Sequence, residues 1–261
     1  MTKIYYFSGT GNTYWSAKKL VERIGDAVIV PISREIKQPD VRIEADAVVF
    51  MFPAYAYGMP TMVRRFLEKA EIHAEYLAAL VSYGSSPGGA LAEARRVLGR
   101  KKLILNYGGR IPAVENYIPI FGAQKKELRE ERLALQEGAT EQAAAAIISR
   151  ASNRVMMFRP FAGFVSALFH IGCPRMGRLF RVTADCNACG FCAQICPAGA
   201  ITMTKEGPVF QNGCEQCQAC LNFCPQKAII FGRLKQDTER YHHPEVAAGE
   251  LFSSRAAISF P

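Results

Sequence analysis

Eight cysteines form two copies of one run in the last third of the chain. Both copies have the spacing C-x₂-C-x₂-C-x₃-C, and Pro197 or Pro225 follows the last cysteine of each. The ligand candidates are Cys186, Cys189, Cys192, Cys196, Cys214, Cys217, Cys220 and Cys224. Thiolates at this spacing are ligands of cubane [4Fe–4S] clusters. Because the two copies form a tandem internal repeat, we expect two such clusters.

The repeat resembles the two-cluster bacterial ferredoxin module over roughly residues 182–232. The resemblance implies that the fourth cysteine of each run binds the cluster of the other run. One cluster would then take Cys186, Cys189, Cys192 and Cys224, and the other Cys214, Cys217, Cys220 and Cys196. Short strands are expected after each run, at residues 200–203 and 228–231.

Zinc and disulfides are the alternatives for these cysteines. Structural zinc needs four ligands in two pairs, whereas each run here is a triplet with a trailing fourth cysteine. Disulfides need an oxidising compartment. The first residues, Met1–Ile4, continue directly into a strand pattern without a signal peptide, so we expect a cytoplasmic protein.

The first part of the chain alternates apolar runs with amphipathic helical patterns. Buried strands are predicted at residues 3–7, 27–31, 47–53, 78–83 and 102–107, with helices at 13–24, 60–69, 89–98 and 125–152. This order predicts an α/β fold, a doubly wound five-stranded parallel sheet with helices on both faces. Ligands of such sheets bind at the carboxyl ends of the strands.

The loop after the first strand, Ser8–Thr13, contains two glycines, three hydroxyls and one amide, and it opens a helix. Backbone N–H groups at a helix N-terminus attract anions, so we interpret the loop as a phosphate site. Tyr14 stands where a dinucleotide fingerprint needs glycine, and the P-loop ending is absent. An ordinary capped strand–helix turn is the alternative.

The loops after the third and fourth predicted strands are rich in glycine, proline and tyrosine, which suits a planar aromatic ligand. Together the three loops give the candidate cofactor site: Ser8, Gly9, Thr10, Gly11, Asn12, Thr13, Pro53, Ala54, Tyr55, Tyr57, Gly58, Tyr83, Gly84, Ser85, Gly88 and Gly89.

Residues 1–150 resemble a flavodoxin-type domain, and residues 6–13 resemble its FMN phosphate loop. The resemblance implies that Ser8, Thr10, Asn12 and Thr13 hold the phosphate of FMN. Tyr55, Tyr57 and residues 83–89 would contact the isoalloxazine ring. With similar segments at 111–117 and 240–246, the whole chain resembles the EFR1 family, in which a flavodoxin domain precedes a two-cluster ferredoxin.

We predict a flavodoxin-like domain at 1–152, an apolar connector at 153–182, a ferredoxin domain at 183–232 and a tail at 233–261. The apolar stretch of the connector, residues 155–172, carries Phe158, Phe161, Phe164 and Phe169 and is too short and too interrupted to span a membrane. Three interpretations are open for the connector: it shields the cofactors between the domains, docks a partner, or lies on a membrane. The first is favoured. The ninth cysteine, Cys173, is expected to be a buried structural residue. The adjacent His242 and His243 are expected to be surface or packing residues.

The formal charge of +9 on 261 residues is reduced to roughly +3 by two clusters and a flavin phosphate, each carrying about −2. A nucleic-acid partner is therefore not expected, nor a membrane. We expect a redox partner protein, either a ferredoxin or a reductase or oxidase.

Clusters move single electrons and flavin accepts one or two. The favoured hypothesis is an electron-transfer protein of an anaerobic organism that passes electrons between the clusters and FMN. The alternatives are an FMN-dependent oxidoreductase with a small-molecule substrate and a docking module on a flavodoxin scaffold.

Overall fold

The computed structural model describes residues 1–154 and 160–255. Five parallel strands form one sheet in the order β2-β1-β3-β4-β5. They are β1 Thr2–Tyr6, β2 Ala27–Pro31, β3 Arg42–Pro53, β4 Glu71–Tyr83 and β5 Tyr107–Pro112. This is the flavodoxin-like strand order, and it confirms the predicted α/β fold class.

Helices cover both faces of the sheet. They are α1 Asn12–Ile24, α2 Ile32–Glu35, α3 Thr61–Lys69, α4 Ala90–Arg100, α5 Ile118–Phe121 and α6 Lys126–Ile148. Alternate residues of each strand face opposite sides, so the sheet has two cores. Leu20 of α1 and Ile147 of α6 lie in one core, and Phe66 of α3 and Leu98 of α4 lie in the other.

The predicted position of the fifth strand was wrong. The apolar run at 102–107 leaves α4 through a turn, and Ile104 is 76 % exposed. The strand begins at Tyr107 and contains two glycines. A Cβ at Gly109 would lie 2.4 Å from the side chain of Leu80, so glycine at this position leaves room for that buried side chain.

The cysteine runs lie in a small domain with two antiparallel strand pairs. Strand β6, Phe180–Val182, pairs with β9, Ile229–Phe231, and β7, Ile201–Thr204, pairs with β8, Gly207–Phe210. Short helices α8, Phe191–Ile195, and α9, Ala219–Asn222, contain the third cysteine of each run. The two expected strands are confirmed as β7 and β9.

The internal repeat is visible in the backbone of the two cysteine loops. Left-handed φ angles recur at equivalent positions of both copies: Ala188 and Gln216, Gly190 and Gln218, Gly199 and Lys227. This conformation costs a non-glycine residue about 1 kcal/mol or more. Both copies therefore keep the same turns although their side chains differ.

The connector contains α7, Pro160–Gly172, and a 3₁₀ helix, Cys173–Leu179. Of the four phenylalanines in the apolar stretch 155–172, Phe158 lies outside the described residues, as does the side chain of Phe161. Across the described ranges, 1–154 and 160–255, no helix has the length and apolar content needed to span a bilayer.

The tail returns to the first domain and contains α10, Ala248–Arg255. The His243 N–H donates to the Thr10 carbonyl at 2.8 Å. Lys18 of α1 forms an ion pair with Glu250 at 2.6 Å. Because Val246 is buried in the same core as α3 and α4, the tail packs against the first domain and holds the cysteine domain against the sheet.

Candidate functional site

A cavity of about 270 Å³ lies at the carboxyl edge of the sheet, where the strand order predicts a ligand site. The loops after β1, β3, β4 and β5 form its walls. Most of the predicted flavin-site residues line it: Ser8, Gly9, Thr10, Asn12, Thr13, Pro53, Ala54, Tyr55, Tyr57, Tyr83, Gly84 and Ser85.

Four predicted site glycines do not line the cavity. Gly11, with φ 101°, opens α1 and packs against His243 and Val246 of the tail. A Cβ at Gly58 would lie 1.8 Å from the Ser166 hydroxyl, and one at Gly88 would lie 2.3 Å from the Tyr57 carbonyl. Gly89 precedes α4. These glycines shape the loops around the cavity rather than forming its surface.

The loop after β1 has the groups that an anion needs. Ser8, Thr10 and Thr13 are buried and line the cavity, and the Gly11 N–H donates to the Ser8 hydroxyl at 3.2 Å. The first turn of α1 contains no acidic residue. The positive end of α1 therefore has hydroxyl groups and no acidic residue of its own first turn beside it, an arrangement that fits a phosphate.

All four polar side chains of this loop have partners inside the protein, and those of Asn12 and Thr13 come from distant segments. The Asn12 amide donates to the Val114 carbonyl at 3.0 Å, and its oxygen accepts from the Tyr241 hydroxyl at 2.7 Å. The hydroxyls of Thr13 and Ser82 share a hydrogen bond of 2.6 Å. Asn12 thus ties the loop to the segment after β5 and to the tail, a role that the sequence alone did not indicate.

The tyrosines of the next two loops line the cavity, and their contact with a flavin ring stays a prediction. Tyr55 forms an isolated antiparallel bridge with Gly58, and Ala56 and Tyr57 turn the chain with positive φ angles. The Tyr55 ring meets Phe7 edge to face, with centroids 6.2 Å apart. Tyr57 is 44 % exposed, so the loop presents one tyrosine at the cavity wall and another at its mouth.

The segment after β5 supplies the side of the cavity that the loop predictions omitted. Residues 113–117 line it, together with Ile120 and Phe121 of α5. The Glu115 carboxylate accepts the N–H groups of Asn116 and Tyr117 at 3.0 and 3.1 Å. The Asn116 amide donates to the Thr10 hydroxyl. In the sequence, only family resemblance marks residues 113–117.

The connector roofs the cavity through Phe169 of α7 and Met176 of the 3₁₀ helix. A buried carboxylate holds α7 in place. Glu93 accepts hydrogen bonds from Arg64 at 2.7 Å, from the Met59 N–H at 3.2 Å and from Ser166 of α7 at 3.3 Å. The favoured interpretation of the connector as a cofactor shield agrees with this position.

The cysteines form two separate sites, each with members of both runs. Cys186, Cys189, Cys192 and Cys224 line one small cavity, and Cys196, Cys214, Cys217 and Cys220 line another. These are the two sets that the ferredoxin resemblance implies. The site containing Cys189 is the more accessible one, because Cys189 is exposed whereas Cys217 and Cys220 are buried.

Burial raises the pKa of the Cys192 and Cys214 thiols to about 11 and that of Cys220 well above its usual value. Metal binding stabilises thiolates and releases their protons. Within residues 1–154 and 160–255, no three His, Cys, Asp or Glu side chains meet at the spacing of a single metal ion. A four-iron cluster binds its thiolates through different irons, at wider spacing.

The second cysteine loop packs directly against the cavity wall. Gln216, between Cys214 and Cys217, lines the same cavity as Thr10 and Tyr55. The buried Glu215 carboxylate accepts the Met62 N–H at 3.2 Å, and burial raises its pKa. The Cys214 site is therefore the cysteine site adjacent to the loop after β1, the predicted phosphate loop.

Cys173 is buried, and its thiol donates to the Cys214 carbonyl at 3.2 Å. Burial raises the pKa of this thiol far above its usual value. His243 is also buried and stacks on Trp15 with ring centroids 4.9 Å apart, while His242 stacks on Phe223 at 4.6 Å. These three residues are packing residues, as expected.

Comparisons with known proteins bear mainly on the cysteine domain. The 4Fe-4S binding domain family matches residues 181–202, which contain the first run. One component of an ion-translocating oxidoreductase complex from Methanosarcina acetivorans is 47% identical over 45 residues, 17% of each chain. The iron–sulfur subunit of an arsenate respiratory reductase from Shewanella is 31% identical over 86 residues, 29% of this chain and 37% of that subunit. The matched segments thus span well under two thirds of these relatives.

Among solved structures, the chain is similar to Megasphaera elsdenii flavodoxin, with 16% identity, a TM-score of 0.33, and coverage of 54% of this chain and 99% of that one. It is also similar to an azoreductase from Bacillus anthracis, with 12% identity, a TM-score of 0.40, and coverage of 57% and 100%. A flavodoxin of Streptococcus pneumoniae gives 17% identity and a TM-score of 0.34, with coverage of 55% and 98%.

Proposed function

We propose that this chain is an electron-transfer protein that binds FMN in the 270 Å³ cavity and two [4Fe–4S] clusters at the two cysteine sites. Membership of the flavodoxin–ferredoxin fusion family, and the division of the chain near residues 152, 182 and 232, belong to the same proposal. FMN supplies one- or two-electron chemistry when bound, and the clusters supply one-electron chemistry.

One observation carries the proposal: the cavity and the second cysteine site share a wall. Gln216 lies between two predicted cluster ligands and also lines the cavity. Electron transfer between cofactors needs a short separation and a fixed relative position. Here both come from packed loops of one chain, so the encounter needs no diffusion.

The chain's own residues would bind and orient the cofactors. Ser8, Thr10 and the N-terminus of α1 would hold the phosphate of FMN. Tyr55 and Tyr57 would flank its isoalloxazine ring. Phe169 and Met176 exclude water from above. Cys214, Cys217, Cys220 and Cys196 fix the adjacent cluster, and the exposed Cys189 marks the site that a partner protein reaches.

The alternative function, an FMN-dependent oxidoreductase, needs an enclosed space for a small substrate. The connector covers part of this cavity, and the rim contains exposed apolar side chains: Ile120 is 71 % exposed and Phe121 59 %. An exposed apolar rim is typical of a surface that meets another protein. This observation favours exchange of electrons with a redox partner over turnover of an enclosed substrate.

The test uses the intact, anaerobically purified chain loaded with FMN. A flash-generated reductant delivers electrons in less than stoichiometric amount, and absorbance follows clusters and flavin separately. We expect cluster reduction to precede flavin reduction, with a second phase whose rate constant is independent of protein concentration. A second phase that scales with protein concentration would show that electrons pass between molecules, which contradicts the proposal.

A further inference from the structure

We propose that Gln216 couples the flavin cavity to the second cysteine site, so that filling the cavity and changing the charge of that cluster alter each other's free energy. This inference rests on the proposed function. It assigns Gln216 a positioning role, with Tyr117 as the residue that fixes its orientation.

Gln216 connects the two sites through one planar amide. It is 1 % exposed. Its backbone N–H and its side-chain Nε2 both donate to the Cys214 sulfur, at 3.3 and 3.4 Å. Its Oε1 accepts from the Tyr117 hydroxyl at 3.1 Å and from Gln218 at 3.0 Å. The donor end therefore faces a predicted cluster ligand while the acceptor end is fixed from the cavity side.

Tyr117 gives the cavity a way to act on this amide. It lines the cavity beside Gln216, and its backbone N–H donates to the Glu115 carboxylate at 3.1 Å. Burial raises the pKa of Tyr117 to about 12, so its hydroxyl stays a donor at neutral pH. The amide already has the orientation that donates to Cys214, so a ligand that packs against the half-buried Tyr117 would act by removing water from its hydroxyl, which strengthens the chain of hydrogen bonds from Tyr117 through Gln216 to Cys214.

Hydrogen bonds to cluster sulfurs favour the reduced, more negative state of a cluster and raise its reduction potential. The effect is strong where water is excluded and the local dielectric is low. Since binding linkage is reciprocal, reduction of this cluster must raise the affinity of the cavity for its ligand by the same factor.

The first cysteine site has no equivalent side-chain amide between its first two cysteines and the flavin cavity. The residue equivalent to Gln216 is Ala188, which has nearly the same φ angle, 53° against 52°, but no side-chain donor. Within the described part of the chain, no residue of 186–192 lines the flavin cavity. The coupling should therefore act on one cluster and leave the other unchanged.

The experiment uses 5-deaza-FMN, which fills the site of FMN without readily taking single electrons. The potentials of both clusters are measured by paramagnetic resonance in the flavin-free chain, with and without the analogue. Cys189→Ser, at the exposed ligand of the first site, identifies which signal belongs to that cluster. We expect the analogue to raise the reduction potential of the second cluster only. Once that cluster is reduced, the analogue should bind at least about fivefold more tightly.

Gln216→Leu removes the side-chain donor and should reduce this affinity difference to less than about twofold, with both clusters retained. Tyr117→Phe keeps the ring and loses the hydroxyl, so we expect a partial loss. Gln226→Leu is the matched control, an exposed glutamine at the first site, and should keep the full effect.

Equal shifts of both clusters, or a full shift of the second cluster in Gln216→Leu, would overturn the coupling. A chain that holds both clusters and the analogue but shows no shift overturns the coupling alone. A chain that binds no analogue, or that lacks the second cluster, overturns the proposed function as well.

Discussion

Gly9 lies directly against the backbone carbonyl of Cys217: a Cβ added at residue 9 would stand 2.2 Å from that oxygen. The phosphate loop and the second cysteine loop therefore touch through backbone atoms, with no side chain between them. Backbone contacts fix a separation more tightly than long side chains do, because fewer rotatable bonds intervene. This contact sets how closely the two proposed cofactor sites approach.

Gly9→Ala should separate the two loops. The new methyl group meets a carbonyl that cannot move without shifting the ligands around Cys217, and overpacking of this kind costs about 1–3 kcal/mol. We expect FMN affinity to fall about tenfold, measured by fluorescence titration of the flavin-free chain. Gly138→Ala is the control, because nothing lies within 4 Å of a Cβ at that exposed position of α6. Equal FMN affinity in Gly9→Ala and the parent would contradict the contact.

Cross-ligation predicts opposite results for the fourth cysteines of the two runs. Cys224→Ala should remove the cluster of Cys186, Cys189 and Cys192, because residue 224 lines that cavity. Cys196→Ala should instead remove the cluster of the second loop. The parent is expected to hold about eight irons and eight sulfides, and each variant about half. Resonance spectra of the reduced variants identify which cluster remains; loss of the cluster of the same run would refute cross-ligation.

Thr10→Glu should abolish FMN binding. Thr10 is buried at the cavity, where a carboxylate would face the phosphate dianion. The carboxylate and the phosphate, both negative and close together, repel strongly in a site from which water is excluded. Thr10→Ser, which keeps the hydroxyl, should bind FMN close to normally. Equilibrium dialysis measures both, and unchanged binding in Thr10→Glu would place the phosphate elsewhere.

Cys173→Ser should retain both clusters and the flavin. The thiol of Cys173 donates to the Cys214 carbonyl, and a serine hydroxyl can donate to the same oxygen. Neither cysteine site includes residue 173. Iron, sulfide and FMN contents should match those of the parent. A selective loss of iron would mean that Cys173 is a ligand and that one of the eight assigned cysteines is not.

The sequence allowed the fold class and four of the five strands to be predicted, because they depend on local patterns. The two cysteine sets follow from the resemblance to two-cluster ferredoxins and stay a prediction. Apolar runs identify strands that are buried on both faces, and cysteine spacing is fixed by cluster geometry. The fifth strand was misplaced because its residues contradict strand propensity. Gly108 and Gly109 lie in it, whereas the more apolar Leu103–Leu105 lies outside it.

Contacts between distant segments were beyond a sequence prediction. Asn12 was assigned to the phosphate, yet its side chain binds Val114 and Tyr241. Gln216 carried no signal at all, since a glutamine within a cysteine loop is ordinary. Its role depends on Tyr117, which is 99 residues away in sequence. Such pairs become visible only when the fold brings the segments together.

The buried His243 of the tail should make the stability of the folded chain sensitive to acid. Burial lowers its pKa to about 4, with smaller contributions from His242 and Lys18, while Glu245 acts in the opposite direction. In the unfolded chain the pKa returns to about 6.5. Between these values the unfolded state binds a proton that the folded state does not, so stability falls as pH falls from about 6.5 to 4.

His243→Phe tests this directly, because phenylalanine keeps the stack on Trp15 and cannot be protonated. We expect the apparent Tm of the loaded, anaerobic chain to fall less between pH 7 and pH 5 than in the parent, at one fixed scan rate. A residual fall should remain, since burial also lowers the pKa of His170 to about 4. His73→Gln, at an exposed histidine, is the control and should follow the parent. If the Tm of His243→Phe falls as much as that of the parent between pH 7 and pH 5, protonation of His243 does not cause the loss of stability in acid.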